Sequence, residues 1–241
     1  MTPEQLKHFS NILANGTTLT SKGTTSEGHS HFQTPAKLVA AAKAGCLMQN
    51  ITKDSRMYTV LKTQHAGGLG CTILPALWIG AEQTIEDFNA YAWVRNINKY
   101  THSHLTPTHA QAILMTKGFY NLDLTGITIG CGSTPVSWDI VEAFVKQGCN
   151  FVSNWGMTEV GPCAIGTIFH NMKEVEIVQE FAPEGTTIIG NKCYLDTKLV
   201  DGELHVRGDI SVFGDEWFAT GDMMTQVNGY YFYVGRKNRH Q

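Results

Sequence analysis

The chain has 241 residues, enough for one large domain or two small ones around a real core. With 42% hydrophobic and 16% charged residues it reads as globular, not disordered. A formal charge of −3 without a Lys/Arg cluster gives no footprint for nucleic acid, and no apolar run reaches the ~18 residues of a membrane span. The N-terminal stretch has no basic region followed by an apolar one, so it does not read as a secretory leader. Cys46, Cys71, Cys131, Cys149, Cys163 and Cys193 stand singly, which points to reduced, mostly buried thiols in a cytoplasmic protein.

In chain order, Leu6, Phe9, Ile12 and Leu13 share one face of an expected helix over 2–15. Residues 16–31 are rich in Gly, Thr and Ser and read as an irregular loop. Pro35–Gln49 reads as an Ala-rich helix with Pro in its first turn, and Met57–Leu61 as a strand. Leu69–Trp78 and Glu86–Asn98 read as helices, and Thr108–Thr116 as a third, opened by Pro107. Ile127–Ile129 reads as a short strand, Ser137–Lys146 as a helix with Ser137 as N-cap, and Phe151–Val152 as a buried strand. Strand and helix in alternation imply βαβ units around a mostly parallel sheet. Beyond Gly166 strands are expected at Val175–Gln179, Thr187–Ile189, Cys193–Leu199, Glu203–Val206 and Tyr230–Val234, punctuated by hairpin signals at 190–191, 201–202 and 228–229. The fold class expected is therefore α/β, a mostly parallel sheet with flanking helices followed by a small β-rich subdomain. The divisions are a core over 1–168 with a candidate phosphate loop at 20–30, a β-rich part over 169–235, and a hinge-like end at 236–241. A single α/β domain with an appended hairpin is the alternative.

Three segments carry chemistry. Backbone N–H groups and hydroxyls over Thr20–Ser30 suit an anion-binding nest, and an unliganded surface loop is the plain alternative. The stretch from Gly23 fits G-x-x-x-x-G-K-[ST] except that His29 stands in the Lys position. Ser153-Asn154-Trp155-Gly156-Met157-Thr158-Glu159 follows a buried strand, where open α/β sheets place their ligands. Trp155 suits stacking on a base, Thr158 donation to a phosphate oxygen, and Glu159 a Mg²⁺ ion; a buried Trp and a capping Thr are the plain alternative. Asp222, after Thr220-Gly221, suits the two hydroxyls of a ribose, or else merely orders a turn.

Together these segments resemble the AMP-binding adenylate-forming superfamily of acyl-CoA synthetases, aryl-CoA ligases, luciferases and peptide-synthetase adenylation domains. Its patterns TSGTTGxPKG, GGAPL, NGYGMTE, GELxVRG, TGD and GRxD resemble residues 20–30, 131–135, 153–159, 202–208, 220–222 and 235–238. Gln64–Leu69 with the following LPALWIGAE resembles the family's acyl-pocket segment, and Tyr100–His102 with Pro107-Thr108 its VTH…VPT segment. His102, His104 and His109 fall in that ordinary segment with no Cys or carboxylate at ligand spacing, so structural or surface roles are expected for them.

The resemblance implies ATP or AMP with Mg²⁺ as cofactors, a small carboxylic acid as substrate, and its activation as an acyl-adenylate; it leaves coenzyme A open as acceptor. It implies nucleotide contacts from Ser21, Gly23, Thr24, Thr25, Ser133, Thr134, Ser153, Trp155, Gly156, Asp222 and Arg236. Thr158, Glu159 and His65 take the catalytic roles, with Glu159 on the metal. His65, Gly67 and Gly68 would border the acid, and small apolar residues there favour an apolar or aromatic one. Departures are His29 for Lys, Ser26 for Gly, Trp155 for Tyr and Asn238 for an Asp or Lys. The family's C-terminal lid with its lysine, and much of its N-terminal part, have no counterpart in these 241 residues. A minimal form is expected, since the sequence starts with Met, with a fragment as the other reading. The alternative function is a catalytically impaired nucleotide-binding remnant, or a module whose lid comes from a partner chain.

Overall fold

The computed structural model describes residues 1–20 and 29–237. Helix α1 (Pro3–Asn15) begins at a reciprocal cap, in which the Thr2 hydroxyl accepts from Gln5 N–H at 3.2 Å and the Gln5 side chain accepts from Thr2 N–H at 2.9 Å. The following stretch, expected as an irregular loop, instead carries two strands. β1 (Thr17–Thr20) and β2 (Ser30–Gln33) pair antiparallel, Thr17 opposite Gln33. Threonines favour the pleated backbone, and Leu19 buries one face, which outweighs the polar composition. Ser21, Gly23, Thr24 and Thr25 lie outside the described residues, as does Asn238.

Helix α2 (Pro35–Gln49) matches its expected span. Thr34 caps it by accepting from Lys37 N–H at 3.3 Å. Its small residues allow close packing: a Cβ on Gly45 would lie 2.7 Å from Pro75 Cγ. β3 (Arg56–Thr59) leads to α3 (Ala66–Gly68), a π-turn over Leu69–Ile73 and α4 (Leu74–Ile79). β4 (Glu82–Ile85) was not anticipated, and α5 (Ala90–Asn96) is shorter than the expected helix because Asn89 caps it, accepting from Ala92 N–H at 2.9 Å. β5 (His102–Leu105), α6 (Pro107–Leu114), β6 (Thr128–Cys131) and α7 (Trp138–Lys146) follow. β7 (Asn150–Met157) and β8 (Gly161–Phe169) form a hairpin around Thr158–Val160, so the strand read at Phe151–Val152 runs on through Trp155.

Residues 175–179, expected as a strand, lie in α8 (Met172–Phe181). Their β-branched residues are overruled by tertiary burial: Val175 and Val178, three apart, face the core, while Asn171 caps by accepting from Glu174 N–H at 3.1 Å. The single strand expected at 193–199 is two, β10 (Lys192–Cys193) and β11 (Asp196–Val200), which belong to different sheets. β9 (Thr187–Gly190), β12 (Glu203–Arg207), β13 (Phe218–Val227) and β14 (Tyr230–Arg236) complete the chain.

The large sheet has the order β10-β8-β7-β6-β5-β3-β4 among the described residues. Its strands β4, β3, β5, β6 and β7 are mutually parallel; β8 runs antiparallel to β7, and β10 antiparallel to β8, so a single strand is reversed in a mostly parallel sheet. The second sheet, β11-β12-β13-β14-β9, is wholly antiparallel. One core, around Trp93, Phe119, Phe144 and Phe151, lies under the helices of the large sheet. Another joins the two sheets, packing Ala41, Trp155, Val160 and Ile165 against Leu204, Val206, Met224 and Tyr231. Five of the six cysteines are buried and Cys193 is exposed, in keeping with the expectation that most are buried. Among the described residues no helix is long and apolar enough to cross a membrane.

Candidate functional site

The parallel strands β3, β6 and β7 deliver the candidate residues at one edge, their carboxyl ends. His65 follows β3 and is exposed at the start of α3. Ser133 and Thr134 follow β6, both exposed, Ser133 with a left-handed φ of 83°. Gly132 before them has no room for a side chain, since its Cβ would stand 2.7 Å from Asn154 O. Such an edge is where open α/β sheets bind ligands.

β7 brings the densest group. Gly156 lies at a register irregularity between β7 and β8, and a Cβ on it would lie 2.3 Å from Gly161 O. Glycine there lets the hairpin close into the turn that carries Thr158, half-buried, and Glu159, buried. Glu159 is 8% exposed; its carboxylate lies 3.5 Å from His31 Nε2, and its carbonyl accepts from Val212 N–H at 2.8 Å. Gln33 Nε2 donates to Thr158 O at 3.3 Å, so strand β2 holds this turn on one side. Ser153 is buried, its hydroxyl already donating to Ile188 O at 2.9 Å across to β9.

The second sheet meets β7 through Asp222. Trp155 Nε1 donates to Asp222 Oδ2 at 2.8 Å, and Arg236 donates to Oδ1 at 2.5 Å. Asp222 and Arg236 are facing partners on β13 and β14, so the antiparallel register itself sets this ion pair. Gly221 has φ 78° and the Arg236 guanidinium 3.5 Å from where its Cβ would be. Beside it, Gly221 N–H and Lys237 Nζ donate to the two oxygens of Glu203, at 2.9 and 2.7 Å. The hydrogen bond from Lys237 holds the Glu203 carboxyl below its ordinary pKa. Each Asp222 oxygen has a second acceptor direction free in principle, because a carboxylate oxygen accepts two hydrogen bonds.

Lys37, on α2, is a residue that the sequence reading passed over. It is 5% exposed, and burial draws its pKa down from 10.5 to about 8, with the nearby charge of Glu159 pulling the other way. It lines a water-sized cavity with Gln33, Ala66, Leu69, Gly70 and Thr158, so a buried cation stands between the hairpin turn and the 64–70 segment. No local signal marks it, because the Ala-rich helix is apolar on most sides and also carries the exposed Lys43. Of the three histidines set aside earlier, His102 and His104 are buried, with lowered pKa values from desolvation, His104 to about 4. His109 stacks on Phe88, ring centroids 3.8 Å apart.

A family profile described as AMP-binding enzyme matches residues 16–214. The chain is 24% identical to feruloyl-CoA synthase of an Amycolatopsis species over 213 residues, covering 77% of this chain and 42% of that protein. It is 26% identical to indoleacetate–CoA ligase of Aromatoleum aromaticum over 215 residues, covering 79% of this chain and 41% of that one. It therefore spans less than half the length of these relatives. Its fold matches ATP-bound MatB from Rhodopseudomonas palustris with a TM-score of 0.76 at 17% identity, over 91% of this chain and 47% of that one. It also matches the anthranilate CoA ligase AuaEII in complex with anthranoyl-AMP, with a TM-score of 0.77 at 20% identity, over 91% and 46% of the two chains.

Proposed function

The chain belongs to the AMP-binding enzyme family, and on that premise we propose that it binds ATP with Mg²⁺ and activates a carboxylic acid as an acyl-adenylate. In that reaction a carboxylate oxygen bonds to the α-phosphorus, the bond from that phosphorus to the bridging oxygen breaks, and pyrophosphate leaves. The observation that carries the proposal is the joining of Trp155, Asp222 and Arg236 across the two sheets, beside the turn that presents Thr158 and Glu159.

Asp222 and Arg236 would hold the ribose, and Gly156, Ser133 and Thr134 would flank the base, with the buried Trp155 steadying Asp222 behind it instead of offering a stacking face. Thr158 would donate to the phosphates, together with Ser21, Gly23, Thr24 and Thr25. Glu159 fits Mg²⁺, which takes one or two carboxylates plus phosphate oxygens. When bound, the ion would neutralise phosphate charge. Lys37 would add a desolvated positive charge close to the reacting groups, where such charges act most strongly. Preorganised charge and in-line placement are what this chemistry asks of a protein.

His65, Gly67 and Gly68 would border the acid. The relatives named for feruloyl, indoleacetate and anthranilate ligation support an aromatic acid here, with coenzyme A as acceptor. Six free thiols support a reducing, cytoplasmic setting. The test is pyrophosphate release from Mg·ATP with a panel of aromatic and aliphatic carboxylates, beside calorimetric titration with ATP and AMP. Release that depends on the acid is expected. Nucleotide binding without release would leave a binding module, and no binding would remove the assignment.

A further inference from the structure

Away from these residues, three buried side chains from distant parts of the chain converge: Cys71 in the π-turn, His104 on β5 and Cys163 on β8. One ligand atom of each lies within 4.8 Å of the other two, and the sulfurs are 3.5 Å apart. We infer that Cys71, His104 and Cys163 form a binding site for a thiophilic divalent cation, Zn²⁺.

The distances favour a shared ion. Tetrahedral bonds of ~2.3 Å from Zn²⁺ set two sulfurs roughly 3.7 Å apart, so these thiols need move only slightly. A disulfide requires ~2.05 Å, a much larger rearrangement. The imidazole is already oriented. Gln49 Nε2 donates to Cys71 O at 2.8 Å and Gly45 O at 3.3 Å, which turns its Oε1 toward His104 Nδ1 at 3.1 Å. Nδ1 therefore carries the proton, and the Nε2 lone pair accepts from Asn154 Nδ2 at 3.3 Å, a contact the ion would replace while that amide keeps its bond to Cys131 O at 3.1 Å. The outer hydrogen bond from Nδ1 to Gln49 is the kind that fixes metal-binding histidines.

The backbone is arranged to the same end. Cys163 is held at a φ of 57°, unusual for a residue with a side chain. Gly130 leaves space for the imidazole, since a Cβ there would stand 2.2 Å from His104 Nδ1. Met48 and Val152 pack around the two sulfurs, and the cluster holds no carboxylate, so hard oxygen-seeking cations are disfavoured. Charge selects the valence. Two thiols release two protons, two S–Zn bonds and one N–Zn bond form, and the buried site ends neutral. A monovalent ion would leave a net negative charge in the core.

The full chain, stripped of metal by a chelator under reducing conditions, is titrated with Co²⁺ as a spectroscopic probe and then with Zn²⁺. One equivalent, a sulfur-to-cobalt charge-transfer band displaced by Zn²⁺, and two protons released per ion are expected. Cys193→Ser, at the exposed cysteine, should leave the band, and Cys163→Ser should abolish it. Gln49→Leu keeps both thiols and should weaken Zn²⁺ binding about 10–100-fold. Should Cys163→Ser not fold, thermal unfolding of the unsubstituted chain decides, with Zn²⁺ raising its midpoint and Cys193→Ser leaving that rise unchanged. No band, a band that survives Cys163→Ser, or a midpoint indifferent to Zn²⁺ overturns the site.

Discussion

Lys37→Met should stabilise the protein and weaken its proposed activity at once. The side chain is 5% exposed, and its pKa is drawn from 10.5 to about 8. That difference, 10.5 − 8, at ~1.4 kcal/mol per unit corresponds to a penalty on the order of 3 kcal/mol for keeping the ammonium charged in the fold. The folded pKa lies below the unfolded one, so the penalty is complete below about pH 8. Between about pH 8 and 10.5 the folded chain sheds the proton while the unfolded chain keeps it, and stability rises. Methionine fills nearly the same volume without charge. In urea unfolding without nucleotide, Lys37→Met should exceed the parent by on the order of 2–3 kcal/mol at pH 7, and the advantage should shrink from about pH 8 and vanish above about pH 10.5. Taking the difference between the two proteins at each pH cancels the other titrating groups. Mg·ATP binding and pyrophosphate release should fall, since a buried cation beside Glu159 is lost. A variant less stable than the parent at pH 7, with a pH-independent difference, would refute the reasoning by showing that the ammonium is fully compensated.

Three further substitutions separate chemistry from architecture. Glu159→Gln keeps the shape of the turn and should weaken Mg²⁺-dependent ATP binding at least tenfold, or about 1.4 kcal/mol, while Mg²⁺-free AMP binding stays nearly unchanged in calorimetry. Gly156→Ala places a methyl 2.3 Å from Gly161 O, so the hairpin must shift; a loss of ~1–3 kcal/mol in thermal unfolding is expected, with nucleotide affinity falling too. Ser153→Ala removes a buried hydroxyl from Ile188 O and should lower stability by ~1 kcal/mol, leaving AMP affinity untouched because that hydroxyl faces β9.

What the sequence revealed follows physical locality. Local signals set α1 and α2 to within a residue or so: the shared face of Leu6, Phe9, Ile12 and Leu13 for the first, and Pro35 opening an Ala-rich run for the second. Residues 175–179 misled because valine and isoleucine serve a strand or an amphipathic helix equally, and only packing on the large sheet decides. The break between β10 and β11 is a change of sheet, which no local pattern encodes. At the site, Trp155 and Asp222 were legible as motif members, but their hydrogen bond across 67 residues was not. Lys37 was hidden because composition cannot tell a solvated lysine from a buried one. His104 was set aside for want of a nearby cysteine, and the fold supplies two from distant positions.

Asp222 is where architecture and proposed chemistry meet, and the two can be separated. Both of its oxygens already accept, one from an indole that belongs to the inter-sheet core and one from a half-exposed guanidinium. A ribose would have to share those oxygens, using their remaining acceptor directions, so the site is pre-shaped by the contacts that hold the sheets together. Asp222→Ala would therefore confuse two effects: it leaves the buried indole N–H unsatisfied, at ~1–3 kcal/mol, and removes any ribose contact. Asp222→Asn does not, because the amide oxygen still accepts from Trp155 while the charge facing Arg236 is gone. Arg236 is half-exposed and can turn from the amide to solvent, so unfolding should shift by less than ~1 kcal/mol. Hydrogen bonds from ribose hydroxyls lose their charge-assisted strength, and AMP affinity should drop roughly tenfold, ~1.4 kcal/mol. Calorimetry with AMP beside a urea melt reads both quantities on one preparation. Unchanged affinity in a folded Asp222→Asn protein would reduce Asp222 to a strut between the sheets and move the ribose elsewhere.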